Sequence, residues 1–188
     1  MDVALELLMN HPHEPFSHEA IAKRANMAVR TVYRHFPHRS DLLQALWERV
    51  RDASETRFPS TEGEIVPLVR DTFDHFNEHE MLVRSSLAFS ASAELRGRGS
   101  LQGRPAFRKS LSDLLGDLPA VWQRRVLAVC LGIWSAPFWQ LLRDRGELSG
   151  KEAQEAGAWA MQIIINAARA EAFARPASNG NGKEKRKR

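Results

Sequence analysis

Between Ser17 and Arg39 the chain sets Lys23, Arg24, Arg30, Arg34 and Arg39 against a single acid, Glu19, and adds His18, His35 and His38. The formal net charge of the whole chain is +4, and the terminal run from Lys183 to Arg188, five basic residues and one acid, accounts for all of it. Bulk charge is therefore no guide to partners, whereas the local cluster is. Within it, Ala28, Val32 and Phe36 recur at i, i+4 and i+8 and are expected to face inward, while Arg30 and Arg34 point away, flanked by Thr31, Tyr33 and His35. A helix with a thin buried stripe and an outward face of cations, hydroxyls and imidazole has donors for phosphates. It also has short donors and acceptors for base edges. That is the chemistry of a helix entering the major groove of double-stranded DNA.

The elements that must present this face are all helical. Alternating β-branched runs are absent and a period of 3.6 dominates, so the fold class is all-α: a three-helix helix-turn-helix domain at the N-terminus, then a helical body. Val3 to Met9 reads as a short first helix, ended by HPHEP. Ser17 is a natural N-cap for a second helix from Ser17 to Ala25, with Glu19 at its positive end and Phe16 and Ile21 as a hydrophobic staple. Asn26 sits where a helix ends in the left-handed region. A third helix from Ala28 to Phe36 is stopped by Pro37, and a fourth begins near Ser40 and runs to about Phe58, with Leu42, Leu43, Leu46, Trp47 and Val50 on its apolar face. PSTEGE marks a boundary between a DNA-binding domain over 1–50 and a helical body over 59–175, and a disordered basic tail follows over 176–188. In the body, helices are expected over Ile65 to His79, Met81 to Leu95, Ala106 to Leu115, Pro119 to Arg143 and Gly150 to Ala174, the last capped by Ser149, with GRGSLQG (97–103) as a loop.

Ser17, Ile21, Ala22, Ala25, Thr31, Val32, Tyr33, His35, Phe36 and Leu42, with Arg39 where Lys is common, form a pattern that resembles the tetracycline-repressor (TetR) family of helix-turn-helix regulators. The T-V-Y-x-H-F core at a fixed spacing from Ile21-Ala22 carries the resemblance, which covers about residues 1–50. It implies that Ser17 and the amides behind it meet a phosphate, that Tyr33 and Arg39 bind the DNA backbone, and that Arg30, Thr31 and Arg34 face base edges. His35 would touch base or backbone, and Val29 a thymine methyl. The chain departs from the family at Asn26 (usually Gly), at Ala28 and His38 (usually capping residues), and in a short first helix, which implies either a start further upstream or a less buttressed domain.

Such domains read a site as pairs. Val126 to Leu142 and Ala153 to Phe173 are apolar around most of their circumference, which points to a four-helix bundle across a two-fold axis. Trp134, Phe138, Ala156, Ala160, Ile164 and Ala167 are the interface residues expected of this homodimer. The resemblance implies a small-molecule effector, apolar or amphipathic, and Phe73, Phe89, Phe107, Trp134 and Phe138 are its candidate contacts. Ser85, Ser86, Ser90, Ser92, Gln162 and Asn166 are candidate polar fixings. Pro137 is a point where a helix could kink. The expected function is a ligand-responsive repressor on a palindromic operator. The alternative is a sequence-nonspecific DNA-binding or protein-interaction module without effector sensing.

Other chemistry is thinly represented. No Gly-rich phosphate loop and no nucleophile elbow occur, so an enzyme is not expected, and neither is a cofactor. His75 and His79 have the i, i+4 spacing of metal ligands, but with no evident third ligand of strength beside Asp71 and Glu78 a solvated face is expected there, and no metal. The single cysteine, Cys130, lies in an apolar run and reads as a buried thiol. With no disulfide, no signal peptide and no long apolar span, a cytoplasmic protein without a membrane partner is expected.

Overall fold

The computed structural model describes residues 2–53, 57–89 and 91–174. Among them the chain is helical with no strand, in the order α1 (Asp2–Asn10), α2 (His18–Arg24), α3 (Val29–His35), α4 (Arg39–Ala53), α5 (Ile65–Glu78), α6 (Glu80–Ala88), α7 (Ser92–Ser110), α8 (Ser112–Gly116), α9 (Ala120–Ile133), α10 (Ala136–Asp144) and α11 (Gly150–Ala174). A single 3-10 turn, Glu62–Glu64, leads into α5. The basic tail expected beyond residue 175 lies outside the described residues, as do Ser90 and the side chains of Val50 and Ser92.

The buried side chains fall into two clusters. One gathers Ala4, Leu7, Leu8, Phe16, Ile21, Ala22, Val32, Leu42, Leu43 and Leu46 from α1 to α4, and also Phe89 and Ala91 from the α6–α7 corner. The other is built on α5 to α11, with Phe73, Phe107, Leu111, Leu127, Trp139 and Met161 wholly enclosed. Its axis is the long contact of α5 along α11, where Gly157 admits the Phe73 ring: a Cβ there would come 2.6 Å from Phe73 Cε2. Trp139 is the hub of the opposite end. Its Nε1 donates to Asn77 Oδ1 at 3.0 Å, Asn77 in turn donates to the Gly150 carbonyl at 3.1 Å, and the guanidinium of Arg84 lies 5.4 Å over the ring. Arg84 itself grips Asp144 with two bonds of 2.8 and 3.0 Å, so α5, α6, α10 and α11 meet at one apolar centre closed by a satisfied polar rim. Cys130 is fully buried, and burial pushes its thiol up to about 12, which leaves it an inert core residue.

Several expected boundaries are corrected. GRGSLQG is not a loop: α7 runs through it. Of its glycines, Gly97 meets open space, whereas Gly103 lets Trp134 Cζ3 come within 3.2 Å of where a Cβ would stand. Ala106 to Leu115 is divided between the end of α7 and α8. The helix expected from Pro119 to Arg143 breaks at Trp134 and bends by 59° into α10, because Ser135 adopts an extended backbone and caps Phe138 while Pro137 takes the first turn, where its missing N–H costs nothing. The kink expected at Pro137 is thus a new helix start. Met81 to Leu95 likewise divides, at Phe89, whose extended ψ of 138° ends α6. The fourth helix is described only to Ala53, and Phe58 lies outside any helix, packed beside Trp134 at a ring distance of 5.7 Å. The last helix matches its expected bounds. Glu152 N–H donates to Ser149 Oγ at 3.3 Å and Ser149 N–H to Glu152 Oε2 at 2.8 Å, a reciprocal capping box.

Two glycine substitutions separate these roles. Gly97→Ala should raise stability by roughly 0.5–1 kcal/mol, since a helical glycine there costs entropy and has no neighbour. Gly157→Ala should lower it by about 1–3 kcal/mol, because the enclosed Phe73 ring has nowhere to go. Thermal unfolding of the two variants against wild type checks both signs.

Candidate nucleic-acid interface

The site is α3 and what holds it. The second helix opens on Ser17, whose Oγ accepts from the Ala20 N–H at 3.1 Å, and Phe16 before it is buried. Asn26 ends the turn with φ of 51°, the left-handed position its short polar side chain tolerates better than most. Ala28 then stands as N-cap of α3 with no side-chain bond to offer, and it is exposed rather than turned inward as its spacing suggested. Val32 is the only buried residue of α3 and Thr31 is half-buried. Val29, Arg30, Tyr33, Arg34 and His35 are all exposed. Phe36 is half-buried and Pro37 follows, so the helix stops at its seventh residue. At the start of α4, the departure at His38 is repaired from the other side: Asp41 Oδ2 accepts the His38 N–H at 2.9 Å.

His18, not singled out by sequence, fixes the far end of this helix. It is 5% exposed, its Nε2 donates to the Phe36 carbonyl at 2.8 Å, and its ring stacks on Tyr33 at 4.1 Å and 8°. Its signal was only its place one residue inside a capped helix. Tyr33 Oη donates to Glu19 Oε1 at 3.2 Å, and this bond holds the phenol above its ordinary range. Glu19 is held below the usual carboxylate range, first by its own backbone N–H and then by the Ser17 hydroxyl. Tyr33 is therefore a neutral donor, and Ser17, Glu19 and Tyr33 form one polar group beside α3. Arg39 Nε donates to the Phe16 carbonyl at 3.3 Å, and its guanidinium pairs with Glu94 of α7. Met27, 45% exposed in the turn, is a further apolar side chain at this face that sequence reasoning passed over.

The structure thus gathers Ser17, Val29, Arg30, Thr31, Tyr33, Arg34, His35 and Arg39 around one short helix and its neighbours. Residues 1–46 match the family model of bacterial regulatory proteins, tetR family. The chain carries a tetR-family DNA-binding domain. It is a DNA-binding transcription regulator, and the helix-turn-helix is α2, the turn at Asn26 and α3. No curated protein and no solved structure matched the chain.

The residues expected to hold an effector are not all together. Phe73, Phe107, Trp134 and Phe138 belong to the body's cluster, with Phe107 and Trp134 at 5.3 Å and Trp134 Nε1 donating to Thr72 Oγ1 at 2.9 Å. Phe89 belongs to the other cluster, edge-on to Phe16 at 5.0 Å. Ser85 donates to the Met9 carbonyl and Ser86 to that of Val83, while Gln162 and Asn166 bond each other on the exposed side of α11. Of the expected interface residues, Trp134, Phe138, Ala156, Ala160 and Ile164 are half-buried and Ala167 is exposed. Trp159 and Ile163 of α11 and Val129 of α9 are large apolar side chains left exposed. Among the described residues no single helix is long and apolar enough to cross a membrane.

Ala28→Ser should supply the missing cap of α3 and raise the melting temperature, a gain of about 1 kcal/mol. An unchanged melting temperature would mean that α3 does not begin at Val29.

Proposed function

We propose that this tetR-family regulator is a homodimeric, effector-responsive repressor whose paired α3 helices enter successive major grooves of a palindromic operator. In this reading residues 1–50 form the reading unit and 59–175 the sensing and dimerising unit. The observation that carries it is the surface of α3, on which Val29, Arg30, Tyr33, Arg34 and His35 stand exposed around the one buried side chain, Val32. Arg30, Thr31 and Arg34 would meet base edges and Val29 a thymine methyl. Ser17, Tyr33 and Arg39 would meet phosphates, with His35 at either. Arg39 reaches a phosphate by exchanging Glu94 for it, a cheap exchange, since an exposed ion pair is worth only about 0–1 kcal/mol.

Dimerisation is supported by the apolar side chains exposed on α11 and α9, which pack against each other: Trp159, 68% exposed, with Ile163 and Val129. A homodimer would cover them along with Ala156, Ala160, Ile164 and Ala167, and reach Trp134 and Phe138 at the α9–α10 bend. The effector would insert among Phe73, Phe107, Trp134 and Phe138, and Phe89 would pass the change to Phe16. Ligand shifts operator affinity only by binding the two conformations unequally, so an apolar ligand that parts these rings in one of them would release DNA.

Two arginine variants test the division of labour. Arg39→Ala should weaken binding to operator and random DNA alike and lower the salt slope of log K by about one. Arg34→Ala should relax preference at one base pair by about 1–3 kcal/mol. Gel-shift titrations at several salt concentrations measure both. Equal losses on both DNAs for both variants would overturn the assignment.

A further inference from the structure

At the C-terminal end of α5, His75, Glu78 and His79 bring one ligand atom each to within 4.8 Å of the others. The two imidazole rings stand 4.3 Å apart. His79 is the C-cap residue of α5, and its backbone N–H closes the helix on the His75 carbonyl at 3.0 Å, so the spacing of the two rings is set by a formed helical turn. We propose that these three residues are a binding site for a divalent transition-metal cation of the zinc class. Two imidazole nitrogens and a carboxylate oxygen are the donor set that such ions prefer, and three protein ligands leave a fourth position for water. Four-coordinate zinc holds its ligand atoms about 3.4 Å apart. Glu78 and His79 are exposed, so their side chains have room to turn toward that spacing about the half-buried His75.

The surroundings favour a cation. From Asp71 to Glu80 the chain carries Asp71, Asp74, Glu78 and Glu80 and no lysine or arginine. Glu80 is committed to Arg84 and Arg143, whereas Asp71 and Asp74 are exposed and stand four residues before His75 and Glu78, on the same sides of the helix. The last carbonyls of α5 add the negative end of the helix dipole. Calcium and magnesium are excluded by the same donor set, since they take oxygen ligands in larger number. The three residues belong to the end of α5 and not to α3, so the proposal stands or falls apart from the DNA-binding assignment.

The test uses the full chain, freed of metal by chelation and dialysis, titrated with Zn2+ against a chromophoric chelator and with Co2+ followed by its visible absorption. The expected result is one Zn2+ per chain and Co2+ bands of a site of low coordination number, with His75→Gln and His79→Gln each weakening binding more than about tenfold and Glu78→Gln removing the carboxylate contribution. The variants keep His11, His13, His18, His35 and His38, so binding at another histidine would survive them. Zn2+ affinity unchanged in the His75→Gln/His79→Gln double variant, or no Zn2+ bound by wild type, would overturn the site. Far-UV circular dichroism checks that each variant is folded. Should the double variant unfold, the exposed His79→Gln carries the test alone.

Discussion

A helix of seven residues does not persist in water, where the cost of nucleating the first turn exceeds what so few hydrogen bonds return. The existence of α3 therefore depends on its attachments, and these are few: Val32 buried beneath it, Tyr33 stacked on His18 and bonded to Glu19, the half-buried Phe36 at its end, and His18 donating to the Phe36 carbonyl. Burying one valine is worth about 1.5–3 kcal/mol. Everything else in the N-terminal cluster serves this small contact. Leu7 and Leu8 of α1 and Leu42, Leu43 and Leu46 of α4 form a floor, and Arg24 ties α2 to Glu6 and Glu14. Because so little of α3 is buried, Val29, Arg30, Arg34 and His35 stay exposed toward a partner, as does Tyr33 beside its bond to Glu19. A more deeply seated helix would be steadier and would read less.

The same constraint explains why the floor is shared with the body. Phe89 and Ala91, from the corner between α6 and α7, complete the N-terminal cluster, and Phe16 meets Phe89 edge-on. Ser85 holds the Met9 carbonyl at the end of α1, and Glu94 holds Arg39 at the start of α4. The reading unit is thus gripped at α1 and α4 and leaves α2 and α3 clear. Behind α6, Arg84 and Trp139 lock the corner to α5, α10 and α11. In the proposed reading, a movement of α6 would reach the N-terminal cluster through the contact of Phe89 with Phe16.

Much of this was legible in sequence where a local rule acts alone. Ser17 and Ser149 announced their caps, Asn26 its left-handed turn, Pro37 the end of α3, and the T-V-Y-x-H-F core its family. What was not legible depends on packing partners far away in the chain. Gly97 to Gly103 reads as a loop because glycine usually marks one, yet Gly103 is a glycine because Trp134 needs the room. Pro137 reads as a kink, and only Ser135 with an extended backbone turns it into a helix start. His18, named in sequence only as one of three histidines in the basic cluster, is the clamp on Phe36 and the platform for Tyr33. Phe89 was grouped with the body's aromatics by composition, while its neighbour in space is Phe16. Likewise, the apolar runs of α9 and α11 did not show which of their side chains, Phe173 and Trp159 foremost, would stay exposed.

The most direct test of the central claim, that α3 reads base edges, is selection of bound sequences from random duplex DNA by the purified full chain. The account expects a palindromic consensus, its half-sites one helical turn or a multiple apart. Recovery of DNA without sequence preference, held by salt-sensitive contacts alone, would contradict it.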